Sequence, residues 1–215
     1  MGIQVWGLLG GFQKKVGPAV GHWTNGQNVV TALPHPSDNP PTVPQLNVRA
    51  KFGLVISFLS WISPLIRVGF QNAHKEKQSA FNAAFVYNYK NAVTGTTAAN
   101  FTIDYPELMY SKGRLGLSYL ASMATTIDAQ LDFSWLAAIA NGIGEPTDLA
   151  TFVVYNPSKQ LFVTAVGAAL RSALSYDMVL PSTFSTDNVH VYMSFVSADG
   201  KMASDSIYMG ATVVQ

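Results

Sequence analysis

The chain has 215 residues, 48% hydrophobic and only 12% charged, with a net charge of +1 and no cysteine. A chain of this length can bury a sizeable core in one or two domains. Near-neutrality removes the electrostatic case for a nucleic-acid partner, and the missing cysteine removes disulfides, thiol nucleophiles and thiolate metal sites.

The charged share is about half of the usual 25%. The surface must therefore be covered by neutral polar side chains or partly by other subunits. At the N-terminus, Met1 to Trp6 shows no basic stretch followed by an apolar one, so no signal peptide is visible. Trp6 stands where a myristoylation motif on Gly2 wants Ser or Thr. A cytoplasmic protein, an extracellular appendage and a virion-like particle released without a signal all fit this start.

Residues Met1 to Leu33 are rich in glycine. Ile3 to Leu9 is apolar, uncharged and has no evident hairpin partner. Such a segment cannot stay free in water without risking aggregation, so it must add to a sheet edge, in its own subunit or in a neighbour. Ile3, Val5, Trp6, Leu8, Leu9 and Phe12 are the candidate subunit-interface residues. Val20 to Thr24 and Asn28 to Leu33 flank Asn25-Gly26, a two-residue hairpin signal. Pro34 to Pro41 reads as a linker, since its prolines forbid regular pairing.

Thr42 to Gly95 reads as a helical hairpin. Thr42-Val43-Pro44-Gln45 is a capping box with proline in the first turn. Leu46, Ala50, Leu54 and Phe58 follow at helical spacing. From Gly53 to Ile62 the apolar residues occupy every face, which predicts a core helix buried all round. Its charge-free run is too short for a membrane span, which needs about 20 apolar residues. Ser63-Pro64 ends it. Ser79 caps a second helix carrying Phe81, Phe85 and Tyr89, and Gly95 is its expected C′ residue. His74 to Lys77 is a solvated charged loop between the two.

After Gly95 the pattern turns to β. Expected strands are Phe101–Tyr105, Leu115–Tyr119, Thr125–Trp135, Leu149–Tyr155, Gln160–Val166, Tyr176–Leu180, Val189–Val196 and Ile207–Val214. In Thr125–Trp135, Ile127, Ala129, Leu131, Phe133 and Trp135 alternate against polar residues. Asn156-Pro157-Ser158 and Asp199-Gly200 are turns. Short strands at this spacing predict an antiparallel sandwich. The fold class is α+β, mostly β. A β-ribbon with a helical hairpin fills residues 1–99, and a β-sandwich fills residues 100–215.

With Trp135 at the end of its second strand and Tyr192 in its penultimate one, this C-terminal half resembles a fibronectin type III or immunoglobulin-like sandwich. A broader resemblance covers nearly the whole chain. Gly10-Gly11-Phe12, Lys15 to Gly21 with Trp23, and Gln45 with Arg49-Ala50-Lys51-Phe52 carry its first part. Ala80 to Ala84, Ile103-Asp104-Tyr105-Pro106, Ser111-Lys112-Gly113 and Ser204-Asp205-Ser206 with Tyr208 carry the rest. These residues resemble a large uncharacterised family of Bacteroidetes, known as a domain of unknown function. The resemblance implies the fold boundaries and no chemistry.

The residues offer no catalytic set. His22, His35, His74 and His190 lack metal-ligand spacing. Asp128 and Asp132, four apart on one strand, stand about 13 Å apart at the backbone, too far for a glycosidase pair. No Gly-x-Ser-x-Gly elbow or Gly-Lys-Ser phosphate loop is present. The reading is a non-enzymatic structural protein with no cofactor and with itself as partner, a self-associating subunit of an appendage, filament or phage-like particle. The alternative is a carbohydrate-binding module whose surface aromatics, among Trp6, Trp23, Tyr87, Tyr89, Tyr105, Tyr110, Tyr119 and Tyr155, stack on a glycan.

Overall fold

The computed structural model describes residues 3–4, 10–24, 26–33, 39–74 and 78–215. The chain divides into two compact units, Met1–Thr42 and Val43–Gln215.

The first unit is an antiparallel sheet of β1 (Ile3–Gln4), β2 (Phe12–Val16), β3 (Ala19–Thr24) and β4 (Gln27–Ala32), in that order. Thr24 faces Gln27 across a two-residue loop in which Gly26 has φ +77°, so the hairpin forms where Asn25-Gly26 predicts it. Ile3 pairs with Gln13 and Gln4 with Phe12. The segment with no evident hairpin partner therefore adds to β2 of its own chain over these two residues. Val5, Trp6, Leu8 and Leu9 lie outside the described residues, as does His35. A Cβ on Gly21 would stand 2.0 Å from the Phe12 carbonyl oxygen, so only glycine lets the two strands approach. Gly21 is also the only buried residue among those described in this unit.

The second unit opens with α1 (Val43–Trp61), directly after the expected cap Thr42. It ends before Ser63-Pro64, as the proline predicts, but a further helix, α2 (Ser63–Gly69), starts there with the proline in its first turn. The two axes differ by 86°. No single described helix is long and apolar enough to cross a membrane. The expectation that α1 is buried all round fails. Only Val55, Phe58 and Leu59 are buried, while Trp61 is 71% exposed. Ser57 and Ser60 mark the wet face that the apolar count hides. Next come α3 (Ala80–Asn91), β5 (Val93–Thr94) and β6 (Thr102–Ile103). The Ser79 hydroxyl accepts from the Asn82 amide at 3.2 Å, the expected cap. Gly95 (φ +99°) turns the β5–β6 connection and is not the C′ residue of α3, which is capped by Ala92.

Seven strands follow: β7 (Ser122–Ala124), β8 (Gln130–Ser134), β9 (Leu149–Asn156), β10 (Leu161–Leu170), β11 (Ser175–Val179), β12 (Asn188–Val196) and β13 (Ile207–Val213). They form a four-stranded sheet, β10-β9-β12-β13, and a three-stranded one, β11-β8-β7. Two expectations are corrected. Leu115–Tyr119 makes only isolated bridges, Leu115 to Ser204 and Ser118 to Ile139. The strand expected from Thr125 begins at Gln130, because Ala129 takes φ +54° and interrupts the alternation. Ile127 is therefore 57% exposed.

Between the sheets lies a core of Leu131, Phe133, Trp135, Phe152, Val154, Val191, Met193 and Phe195. The other face of the four-stranded sheet is covered as well. Val153, Tyr155 and Tyr192 pack with Val55, Phe58, Leu59, Ile62, Ile66 and Phe70 of the helices. Alternate residues of β9 thus enter two different cores, and Ala150 to Asn156 is buried without interruption. The unit has three layers: helices, four strands, three strands. The boundary expected at residue 99 is corrected by this arrangement, since the helices and the strands share one core and the division falls at Thr42/Val43.

A candidate aromatic cleft

The helix-facing side of the four-stranded sheet carries a continuous row of rings. Phe162 and Tyr155 have centroids 4.6 Å apart, and Tyr155 and Tyr105 5.7 Å. Tyr105 stacks on His190 at 3.8 Å and 19° between planes, and the His190 Nδ1 lies 2.8 Å from the Tyr208 hydroxyl. Tyr192 continues the row, with its hydroxyl donating to the Tyr105 carbonyl at 2.9 Å. Burial pushes the Tyr105 phenol up to about 12, with the neighbouring Tyr155 and Tyr208 adding to it. Burial likewise raises Tyr155, Tyr192 and Tyr208 and lowers His190. In each case the cause is the same, since burial disfavours the charged form of the group.

At one end the row opens into a cleft of about 300 Å³, near the lower limit of the roughly 300–1,000 Å³ that ligand sites span. Three elements build it. The last turns of α1 give Phe58 and Trp61, the β6 region gives Phe101 and Tyr105, and the β9–β10 hairpin gives Tyr155 and Phe162. Phe58 fixes the floor, edge-on to Tyr155 at 4.9 Å and to Phe162 at 5.0 Å. None of the lining residues is charged.

A second cavity, of about 320 Å³, lies between α2 and the sheet. Its lining is apolar except near Tyr110, whose hydroxyl donates to the Ser194 hydroxyl at 2.9 Å.

Two further polar clusters hold the fold. Ser111-Lys112-Gly113 and Ser204-Asp205-Ser206, both among the residues that carry the family resemblance, grip each other. The Ser111 hydroxyl donates to the Ser204 carbonyl at 2.6 Å, the Gly113 amide to Asp205 Oδ1 at 2.9 Å, and the Tyr110 amide to Ser206 Oγ at 3.2 Å. Arg171, only 1% exposed, donates to Asp148, Ser118 Oγ and the Gly116 carbonyl at 3.1, 2.9 and 2.8 Å, with its guanidinium over the Phe195 ring. All its partners are protein groups, so it is consumed in structure.

Of the aromatics named from sequence, Tyr105 and Tyr155 reach the cleft. Tyr110 is in the core, and Tyr119 and Trp23 are exposed elsewhere. Phe58, Trp61, Phe101 and Phe162 were not foreseen there. The signal for Trp61 was its neighbourhood, since Ser57 and Ser60 place a polar stripe beside it. Asp128 precedes β8, while Asp132 accepts from Thr126 and Gln130 on it, which holds that carboxyl below its usual range. Among the described residues no three or more His, Asp or Glu side chains gather as a metal site would require. Of the expected interface residues, Phe12 is half-buried in β2.

Part of the chain resembles fibronectin type III structures. The fn3 domain of the human collagen alpha-1(XX) chain is 17% identical, covering 48% of this chain and 88% of that one at a TM-score of 0.31. The FN1-FN3 domains of chicken CNTN1 are 10% identical, covering 48% and 34% at a TM-score of 0.29. The assignment of a sandwich rests on the two sheets themselves. Among curated proteins none matches the chain. Residues 11–210 match the family of unknown function DUF6266, and the chain belongs to that family.

Proposed function

We propose that the protein is a non-enzymatic structural subunit that associates with copies of itself through its N-terminal sheet. One observation carries this reading. The described residues of that sheet bury Gly21 alone, and they expose Val16, Trp23 and Val30 at 48, 43 and 52%. A sheet needs a covered apolar face to be stable, and its outer strands present unpaired backbone groups. Here β1 and β4 are the outer strands, and the only charges described between Gly10 and Leu33 are Lys14 and Lys15. Ile3 lies on the outer strand β1, the edge that would add to a neighbour, whereas Phe12 lies on the inner strand β2. Such head-to-tail contacts make rings or filaments. The non-enzymatic part draws support from the body, where the buried charges are spent on one another.

The test is light scattering on the full chain and on a chain lacking residues 2–42. The full chain should grow in mass with concentration, and the shortened one should stay monomeric with its body still folded. A full chain that remains monomeric at high concentration overturns the proposal.

A further inference from the structure

We propose that the cleft beside Trp61 binds a neutral glycan, a role beyond self-association. Trp61 closes α1 at the 86° bend, 71% exposed, and no other described ring packs against it. A large flat ring held in water at the mouth of a concave site is available for stacking. The C–H face of an uncharged pyranose is apolar and slightly positive, which suits the negative face of an aromatic ring. Below the rim, Phe58, Tyr155 and Phe162 brace one another at 4.6 to 5.0 Å, so the floor is rigid before any ligand arrives.

The polar groups select the ligand. Ser57, Thr102 and Gln160 line the same cleft. The Ser57 hydroxyl donates to the Leu54 carbonyl at 3.0 Å, which leaves its oxygen to accept. Gln160 is set by the β9–β10 turn at φ +54°, and its amide both donates and accepts. Sugar hydroxyls also do both. A proline-rich peptide also fits aromatic grooves, but it offers mainly carbonyl acceptors and leaves half of this chemistry unused. With no charge in the lining, a phosphate or a uronic acid gains nothing there.

The experiment uses the full chain, with calorimetry and tryptophan fluorescence against cellohexaose, xylohexaose, mannohexaose, maltohexaose and chitohexaose. At least one should bind and shift the emission. Trp61→Ala should weaken that binding roughly tenfold or more, and Trp61→Phe should keep most of it, with both variants melting like the parent. Phe101→Ala serves as a second variant from the other side of the cleft and should weaken it too. The proposal is overturned if none of the five binds, or if Trp61→Ala and Phe101→Ala bind as well as the parent. Preferential binding of polygalacturonate or of a polyproline decapeptide at Trp61 also overturns it.

Discussion

The two units of this chain make sheets in opposite ways. The N-terminal sheet has regular pairing, from Ile3 against Gln13 through Thr24 against Gln27, yet buries one described residue. The four-stranded sheet of the body buries both of its faces, and β9 supplies side chains to two cores. Register alone thus says little about stability. Hydrogen bonds exchanged for those with water add modestly, while apolar burial adds about 25 cal/mol per Å².

That contrast predicts unequal responses to the same insult. Leu59, 0% exposed in α1, should not tolerate aspartate. An unpaired charge there should cost about 5 kcal/mol or more, comparable with the whole stability of many domains. The matching change at Val30, 52% exposed in β4, should shift stability of the isolated subunit by less than about 0.5 kcal/mol. Urea titrations of both variants decide it. A cooperatively unfolding Leu59→Asp protein would break the comparison.

A smaller loss is expected at the buried ion pair. Arg171→Met leaves Asp148, 1% exposed, without its cation, at a cost of about 3–5 kcal/mol. The double variant Arg171→Met with Asp148→Asn should recover part of it in the same titration. Equal stability of the single and double variants would show that the charge of Asp148 is not what suffers.

A graded effect should come from pH, and its alkaline side reports on the body, because all nine tyrosines lie after Thr42. Tyr105 is raised from 10.0 to about 12 by burial. The folded state therefore holds its proton longer than the unfolded state. The stability it contributes is intact below pH 10 and is lost as pH climbs towards 12. Tyr155, Tyr192 and Tyr208 act in the same direction. His190 is lowered from 6.5 by burial, so its contribution is present above that value and fades as pH falls below it. Melting temperatures between about pH 5 and pH 11 should show a plateau with losses at both ends. Flat behaviour above pH 10 would place these rings in water.

The sequence is most legible where structure is local. Asn25-Gly26, the Ser79 cap and the strands from Leu149 onward fall within a few residues of their expected places. What it concealed is long-range. Leu149 to Tyr155, apolar but for Thr151, is a run of the kind buried on both faces, whereas strand spacing alone predicts a two-layer sandwich. That misplaced the boundary at residue 99. Likewise α1 could not be oriented from its apolar count, because the sheet beneath it lies about a hundred residues later. The cleft unites α1, β6 and the β9–β10 hairpin for the same reason, so no local pattern announces it.

The grip between residues 110–113 and 204–206 bears on the order in which the body folds. Its hydrogen bonds join positions 92 to 96 residues apart. Closing so long a loop is entropically expensive until the strands between have paired, so the grip belongs to the end of folding. Contacts formed after the transition state govern how slowly a protein comes apart, and hardly how fast it forms. The serines on which the family resemblance rests therefore bear on the lifetime of the native body and hardly on the rate at which it forms.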